Sequence, residues 1–194
     1  MIEVTGTRAV LAERVWPGAG LAKSAILIVG GALLTGLCSR IEIPLLPVPI
    51  TGQTFGVLLV GALLGSRRGP ASMLTYIGMG AFGLPVFAGG ASGLARLAGP
   101  TAGYLVGFVV AASIVGLLSQ RGWDRRIVST AAAMAIGTLV IYAFGVAWLA
   151  HFVGWGRVLA TGVLPFLVGD ALKLSLAALV LPWAWRLIGE PDRP

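Results

Sequence analysis

The chain has little of the chemistry that builds disulfide frameworks and metal centres. Its 194 residues include one cysteine, Cys38, and one histidine, His151. A disulfide needs two cysteines, and a structural zinc site needs several Cys, His or acidic ligands at short spacing. The sequence therefore excludes an internal disulfide and gives no support for a metal site. We expect Cys38 to be a small packing residue and His151 to lie at a helix end near the membrane surface.

Charged residues are also scarce. They make up 11% of the chain against 57% hydrophobic residues, and the mean hydropathy is +0.94. A soluble domain of this length needs more charge to cover its surface, so the composition predicts a polytopic membrane protein. The 29 glycines fit that class, because small residues let transmembrane helices approach one another closely.

Only seven residues are acidic, which leaves a net charge of +7. We exclude a nucleic-acid binder, because so apolar a chain has no solvated face for a basic patch. Instead, the basic residues divide unevenly between the two sides defined by six apolar segments. Ten lie on the side that holds both chain ends: Arg8, Arg14, Lys23, Arg67, Arg68, Arg121, Arg125, Arg126, Arg186 and Arg193. Three lie on the other side: Arg40, Arg96 and Arg157. The positive-inside rule then predicts that both termini are cytoplasmic.

The predicted fold is an all-α integral membrane domain of six transmembrane helices over residues 22–189. Residues 1–21 are expected to form a cytoplasmic extension, and residues 190–194 a cytoplasmic tail. The predicted spans cover residues 22–39, 52–66, 70–82, 101–119, 127–149 and 163–187. Several are shorter than the roughly 20 residues that a perpendicular crossing needs. The sequence "RRGP" is predicted to be the loop between the second and third spans, since proline suits the first turn of a helix.

Two outer loops are unusual in composition. "RIEIPLLPVPIT" contains three prolines and is predicted to be extended or turned. Residues 83–103 are rich in glycine and proline yet largely apolar. Because irregular backbone at membrane depth survives only beside protein or a wet cavity, we expect these residues to form a lid or a cavity wall.

An acid and a base stand within the sixth apolar segment, "PFLVGDALKLSLAALV". Asp170 and Lys173 are three residues apart and share a helix face. An ionised side chain in a span costs roughly 2.5–3.5 kcal/mol on insertion scales, so such residues mark functional sites or internal pairs. Together they offer acceptors and donors to a small polar ligand. An internal ion pair that only locks the helix is the alternative.

Two further stretches lie on the same predicted side of the membrane. In "PVPITGQT", Thr51 and Gln53 are polar at the outer mouth of the second span, although helix capping by Thr51, with Gln53 near the first turn, is the better explanation for this stretch taken alone. In "GLPVFAGG", the glycines Gly89 and Gly90 let a ligand approach the backbone and Phe87 offers an aromatic wall; a plain tight turn is the alternative. Tyr104, just after "GPTAG", is a further candidate for the pocket.

No Walker A motif, zinc-ligand helix or nucleophile elbow is present in the sequence, so ATP hydrolysis would need a partner. Three functional classes remain: a solute-binding transport subunit, a small intramembrane enzyme that uses Asp170 and Lys173 as acid and base, and a structural subunit that uses them as an internal pair. An enzyme should carry a further nucleophile or carboxylate within its spans, and the sequence offers none.

Four stretches together resemble the BioY family, the biotin-binding S components of energy-coupling factor (ECF) vitamin transporters. They are "IEIPLLPVPITGQTFGVLLVGALLGSRRG", "YIGMGAFGLPVFAGG", "GPTAGYLVGF" and "PFLVGDALKLSLAA", and they cover about residues 41–178. Two positions depart from the family pattern: Ala102 stands where a glycine is usual, and Val168 where a proline is usual. Both concern the backbone beside the expected site, so they affect its loop geometry and leave the substrate class unchanged.

The resemblance implies a six-helix, multi-pass protein of the bacterial cell (inner) membrane that binds biotin from the outer side. Its implied partners are a transmembrane coupling protein and two ABC-type ATPases, with no cofactor in this chain and with self-association left open. It implies that Asp170 and Lys173 contact biotin. Lys173 would bind either the carbonyl of the ureido ring or the carboxylate tail of biotin. The implied contributions of the loops come from residues 87–90, Gly103 and residues 51–54.

S components of this type dock through small residues on their first helix. In this sequence, that resemblance assigns docking to the pairs Ala32 with Gly36 and Gly31 with Thr35. Packing within the same chain is the alternative use of these residues.

Overall fold

A computed structural model describes residues 8–189, so the predicted tail at 190–194 and the first seven residues of the predicted extension lie outside the described residues. Its helices and strands follow in chain order: α1 (Leu11–Val15), α2 (Leu21–Cys38), β1 (Glu42–Ile43), β2 (Ile50–Thr51), α3 (Gln53–Ala81), α4 (Ala95–Ala98), α5 (Ala102–Gln120), α6 (Ile127–Val153), α7 (Trp155–Gly162) and α8 (Leu167–Ile188). Short 3₁₀ turns at Ala88–Gly90, Trp123–Arg125 and Leu164–Phe166 complete the description.

The long apolar helices confirm the predicted class of all-α membrane protein. Within residues 8–189, four helical segments are long and apolar enough to cross a membrane: Leu21–Cys38, Ala102–Gln120, Ile127–Val153 and Trp155–Ile188. They correspond to the first, fourth, fifth and sixth predicted spans. The remaining two predicted spans both fall within α3, and the total of six crossings stays a prediction.

Helix α3 is a hairpin of two antiparallel arms. The Gln53 side chain donates a hydrogen bond to the Tyr76 hydroxyl, although a straight helix would separate these residues by about 34 Å. A Cβ on Gly69 would lie 3.1 Å from the Cα of Gly61, which shows that the arms are in contact near the turn. The predicted second and third spans are therefore neighbouring arms, each shorter than the roughly 20 residues of a perpendicular crossing.

The reversal occurs at Gly65, not at "RRGP". Gly65 has φ 82° and ψ −178°, a conformation that essentially only glycine adopts. The predicted loop at residues 67–70 is wrong, since these residues already belong to the second arm. Helix α5 approaches the turn closely, because a Cβ on Gly116 would lie 2.5 Å from the backbone nitrogen of Ser66. Gly65 makes the turn, and Gly116 lets α5 pack closely against it.

The elements define two ends of the bundle. At the terminal end, where α2 begins and α8 ends, the segment from residue 8 to α1 packs onto the helices. The Arg8 amide donates to the Gln120 carbonyl at 2.7 Å, and Arg68 forms an ion pair with Glu13 at 3.2 Å. The described part of the predicted extension is thus attached to the bundle.

The loop end holds the connections after α2, α3 and α6. Strands β1 and β2 pair antiparallel, with Glu42 opposite Thr51, and the proline-rich loop lies between them. This ladder is a small departure from a purely helical prediction. Residues 150–153 extend α6 and residues 155–162 form α7, where a loop was expected.

The four small residues assigned to partner docking on α2 face the interior instead. Ala32 and Thr35 are fully buried, and a Cβ on Gly31 would lie 2.7 Å from Ser72 Oγ on α3. A Cβ on Gly36 would lie 3.3 Å from the side chain of Val86. The docking assignment is therefore corrected: these residues are small because α3 and the loop after it pack directly on them.

Candidate functional site

A cavity of about 280 Å³ opens at the loop end of the bundle. Its wall is formed by the proline-rich loop, the segment after α3, and the ends of α3, α5, α6 and α8 that meet there. Its polar and charged lining includes Glu42, Thr51, Gln53, Thr54, Arg96, Thr101, Asp170 and Lys173. Its aromatic lining is Phe87, Tyr104, Phe108, Tyr142 and Phe166. An apolar pocket with a few convergent polar groups is the usual form of a small-molecule site.

An ion pair stands on one side of this cavity. Lys173 Nζ donates to Asp170 Oδ1 at 2.8 Å and to Thr54 Oγ1 at 2.9 Å. Thr54 lies 3.3 Å from the same Asp170 oxygen, and the Tyr142 hydroxyl donates to the other one. The carboxylate is thereby held by groups from α3, α6 and α8, and it remains on the cavity wall although only 8% of Asp170 is exposed.

A second polar chain joins the start of α3 to the loop that follows it. The Thr51 hydroxyl donates to Gln53 Oε1 at 2.9 Å, and the Gln53 amide donates to the Tyr76 hydroxyl. Tyr76 in turn donates to the Val86 carbonyl at 3.0 Å, one residue before Phe87. The Thr51 hydroxyl also accepts a hydrogen bond from the backbone N–H of Gln53 at 3.3 Å. The expected capping by Thr51 is wrong, because the N-cap residue of α3 is Gly52 and Thr51 belongs to β2, so that its hydroxyl turns to Gln53 on the cavity wall.

The aromatic side chains form a continuous wall. Phe166 stacks on Tyr142 with ring centroids 6.5 Å apart, and Tyr104 meets the edge of Phe166 at the same separation. The Tyr104 hydroxyl donates to the Gly162 carbonyl at 2.8 Å, which fixes the ring beside α7. Rings held in this way present a fixed apolar surface to a ligand.

Seven of the nine sequence-predicted ligand residues line the cavity, and two do not. Those on the wall are Thr51, Gln53, Phe87, Gly89, Tyr104, Asp170 and Lys173. Gly103 packs against α6, where a Cβ would clash with Trp148 and with the Phe144 carbonyl. Gly90 lies behind the wall, with its Cβ position 2.7 Å from Arg40 Nη1. Gly103 is small because α6 packs against it, whereas Gly90 has φ 73°, a backbone conformation that favours glycine.

The sequence reasoning missed Tyr142, Phe166 and Arg96 as residues of the site. Tyr142 carries a hydroxyl within an otherwise apolar span, which is a signal that could have been used. Phe166 precedes the Asp170 segment directly. Arg96 lines the cavity from α4, and nothing in its local sequence indicates that this short helix reaches the site.

The donor set suits the binding of a neutral or weakly charged polar ring. Among the described residues, no three Cys, His, Asp or Glu side chains cluster as a metal site would require. The cavity instead offers one carboxylate and one ammonium side by side, several hydroxyls and an aromatic wall.

The family model described as the BioY family matches residues 8–190 of the chain. A protein from Pyrococcus horikoshii named "Probable biotin transporter BioY" is 42% identical over 159 residues, which are 82% of this chain and 94% of that protein. "Biotin transporter BioY" from Rhizobium etli is 42% identical over 75% of this chain and 82% of that protein. The protein of the same name from Thermotoga maritima is 38% identical over 81% of this chain and 88% of that protein.

The fold is similar to a solved structure described as the S-component for biotin from an ECF-type ABC transporter. The TM-score is 0.70, and the alignment covers 87% of this chain and 95% of that one. Sequence identity is 22%, so this likeness concerns the fold. It supports the predicted S-component architecture.

Proposed function

The chain belongs to the BioY family, and from this membership we propose that it is a biotin-binding S component of an ECF transporter. The resemblance seen in the sequence is confirmed by the family match over residues 8–190. The related proteins are named as transporters, and the chain is accordingly a transport protein and not an enzyme. Its proposed role is to capture biotin at the loop end of the bundle, which faces outward in the bacterial cell membrane.

The observation that carries this proposal is the ion pair on an aromatic cavity wall. Biotin has a ureido ring with two N–H donors and one carbonyl, an apolar bicyclic body and a carboxylate tail. Asp170 and Lys173 lie 2.8 Å apart and offer an acceptor beside a donor, which matches an N–H beside a carbonyl. The stacked rings of Tyr142 and Phe166 suit the bicyclic body. We propose that Phe87, Tyr104, Thr51 and Gln53 complete the wall around it.

The charges of Asp170 and Lys173 compensate each other within the protein, which supports binding of an uncharged ring. Burying a lone charge is expensive, whereas a paired and hydrogen-bonded charge is tolerated. Tyr142, Thr54 and Lys173 hold the Asp170 carboxylate in place through contacts within the protein. Such preorganisation reduces the ordering cost of binding. A ligand that lacks the ureido group would forgo its hydrogen bonds to this charged pair, each worth about 1.5–3 kcal/mol.

The structural-subunit alternative makes a different prediction for the same pair. If Asp170 and Lys173 only tie α8 to α3 and α6, their removal would lower stability and leave biotin binding unchanged in the protein that still folds. We therefore propose equilibrium binding of labelled biotin to purified protein, with thermal unfolding measured on every sample. The test variants are Asp170→Asn and Lys173→Met.

Matched controls exist at the opposite end of the bundle. Asp124 is a buried aspartate near α8, and Lys23 is a buried lysine on α2. Asp124→Asn and Lys23→Met remove equivalent charges far from the cavity and should leave biotin affinity unchanged. Failure of the wild-type protein to bind biotin would disprove the function. Normal binding by both test variants would disprove the site alone.

ATP-driven transport would need a partner that hydrolyses ATP, because the sequence of this chain has no nucleotide-binding motif. We propose that a transmembrane coupling protein and two ABC-type ATPases use ATP to drive delivery, with no cofactor in this chain. Co-purification of these subunits with the tagged chain, followed by ATP-dependent biotin uptake in vesicles, tests this partnership. Uptake by vesicles that contain this chain alone would contradict the need for the module.

A further inference from the structure

A groove of about 350 Å³ lies on the outer surface of the bundle near its terminal end. Its walls are the start of α6 and the second half of α8. The lining residues are Ile127, Leu179, Val180, Pro182, Trp183 and Arg186. All of them except Pro182 are exposed, and none of them lines the cavity at the loop end. The groove is therefore a separate feature from the proposed biotin site.

The groove changes from apolar to cationic along its length. Leu179, Trp183 and Arg186 are spaced four and three residues apart, so they share one face of α8. The rise of a helix separates Leu179 from Arg186 by about 10 Å along the axis, with Arg186 nearer the terminal end. Because α8 belongs to a segment apolar enough to cross a membrane, Leu179 lies at the depth of the acyl chains and Arg186 near the headgroups. Trp183 lies between them, and tryptophan is enriched at this boundary.

The charged side chains at the headgroup end of the groove are arginines. Arg126 directly precedes Ile127 in the chain, and it is exposed like Arg186. Asp124 belongs to the same turn, but it is buried and accepts a hydrogen bond from the Trp185 indole, which is itself buried. Among the described residues, no carboxylate lines the groove. The groove thus complements a molecule with a negative head and an apolar tail.

We propose that this groove binds an anionic phospholipid, with the phosphate on Arg186 and one acyl chain along α8. The planar guanidinium can donate two parallel hydrogen bonds to phosphate oxygens. Arg126 adds a second positive charge, which favours a headgroup of net negative charge over a zwitterionic one whose cationic group it repels. The apolar walls at Leu179 and Val180 bind the chain and give a lipid an advantage over a free phosphate. This site goes beyond the transport function and does not depend on it.

The test is native mass spectrometry of the full chain in detergent, titrated with phosphatidylglycerol and separately with phosphatidylcholine. Wild-type protein should bind the first phosphatidylglycerol molecule more tightly than the first phosphatidylcholine molecule. In Arg186→Gln, the affinity for phosphatidylglycerol should fall about tenfold or more, because hydrogen bonds between two charged groups are lost. Arg121→Gln is the matched control and should keep the wild-type affinity, since Arg121 is an exposed arginine of the same end outside the groove lining.

A second pair of variants tests the apolar part of the groove. Val180→Trp should fill it and weaken the binding of phosphatidylglycerol. Leu176→Trp is its control, because it adds the same side chain at an exposed position of α8 outside the lining. Glycerophosphoglycerol, which has the headgroup without acyl chains, should bind far more weakly than the lipid. Thermal unfolding in lipid-free detergent checks that each variant folds.

Three results would overturn the proposal. Equal affinity of wild type and Arg186→Gln for phosphatidylglycerol would remove Arg186 as the phosphate ligand. Equal binding of glycerophosphoglycerol and the lipid would show that the apolar walls contribute nothing and that a free phosphate is enough. Loss of co-purification of the proposed coupling protein in Arg186→Gln, with lipid binding unchanged, would assign the groove to that subunit. Biotin is absent from the lipid titrations, so failure of the proposed function would leave their outcome unaffected.

Discussion

Tyr142 on α6 donates its hydroxyl hydrogen bond to Asp170 on α8, on the side of the carboxylate opposite to Lys173. The bond links two helices that are distant in sequence and orients the carboxylate at the cavity wall. It also connects the charged side of the cavity to its aromatic side, because Tyr142 stacks on Phe166.

Removal of this hydroxyl should affect both stability and ligand binding. In Tyr142→Phe, one oxygen of a buried carboxylate loses its donor, at a cost of about 1–3 kcal/mol in the free energy of unfolding. Biotin affinity should fall as well, because Asp170 is no longer held in place. Tyr104→Phe removes a bond to the Gly162 carbonyl and serves as the control, with lower stability but a smaller change in affinity. Equal affinity losses in the two variants would contradict the orienting role of Tyr142.

The turn at Gly65 should not tolerate a side chain. Gly65→Ala places a Cβ in a backbone conformation with φ 82° and 3.1 Å from Gln120 Nε2, so we expect a loss of about 1–3 kcal/mol or more. Gly78→Ala lies in the same helix with open space around the new Cβ, and it should be neutral or gain up to about 1 kcal/mol. Thermal unfolding in detergent compares the two. Equal melting temperatures would disprove the need for glycine at the turn.

Stability should depend on pH through Asp124, which lies outside the spans in the turn between α5 and α6. Burial raises the pKa of Asp124 to about 6, against partial compensation by the hydrogen bond from Trp185 and by the charge of Arg125. The folded state therefore binds the proton more tightly than the unfolded state. The stabilisation is fully present below about pH 4 and is lost as the pH rises through about 6.

Asp124→Asn should remove this contribution. The difference in melting temperature between wild type and variant should shrink or reverse as the pH rises from about 4 to about 6, and it should be constant above that range. Other carboxylates that titrate in the same pH range affect the melting temperatures of both proteins, so their contributions cancel in the difference. A difference that does not change with pH would show that Asp124 has an ordinary pKa in the folded protein.

Gly103 should prove to be a packing residue. In Gly103→Ala, the new methyl group meets Trp148 and the backbone of Phe144 on α6, and overpacking of this kind costs about 1–3 kcal/mol. The folded fraction should bind biotin with unchanged affinity. Gly99→Ala is a neighbouring control, since its Cβ would make only ordinary contacts at 3.6 Å. A variant at Gly103 that is stable but binds weakly would restore the ligand-contact role assigned by the resemblance.

Much of the fold could be predicted because apolar composition and span length are local properties. The starts and ends of α2, α5 and α6 lie within a few residues of the predicted spans. The hairpin in α3 could not be placed in this way. The sequence shows several glycines and one proline near the reversal, and only the packing of α5 against the turn selects Gly65 among them.

The candidate site was partly predictable for a similar reason. Asp170 and Lys173 are conspicuous because charge is rare in an apolar segment, and their spacing already implies a shared helix face. Tyr142 and Arg96 are ordinary in their own segments, so no local pattern singles them out. The resemblance assigned partner docking to the small residues of α2, but a small residue fits any close contact, and here α3 and the loop after it make that contact.

The sequence by itself determined the membrane class, the helical character, the family and the charged pair on α8, since each depends on composition or on residues close together in the chain. Tertiary structure decided which side of each helix is buried, which glycine reverses α3 and which side chains share one cavity. The physical reason is that these properties arise from contacts between segments far apart in sequence. Asp170 meets Thr54 and Tyr142 only after three helices have packed together.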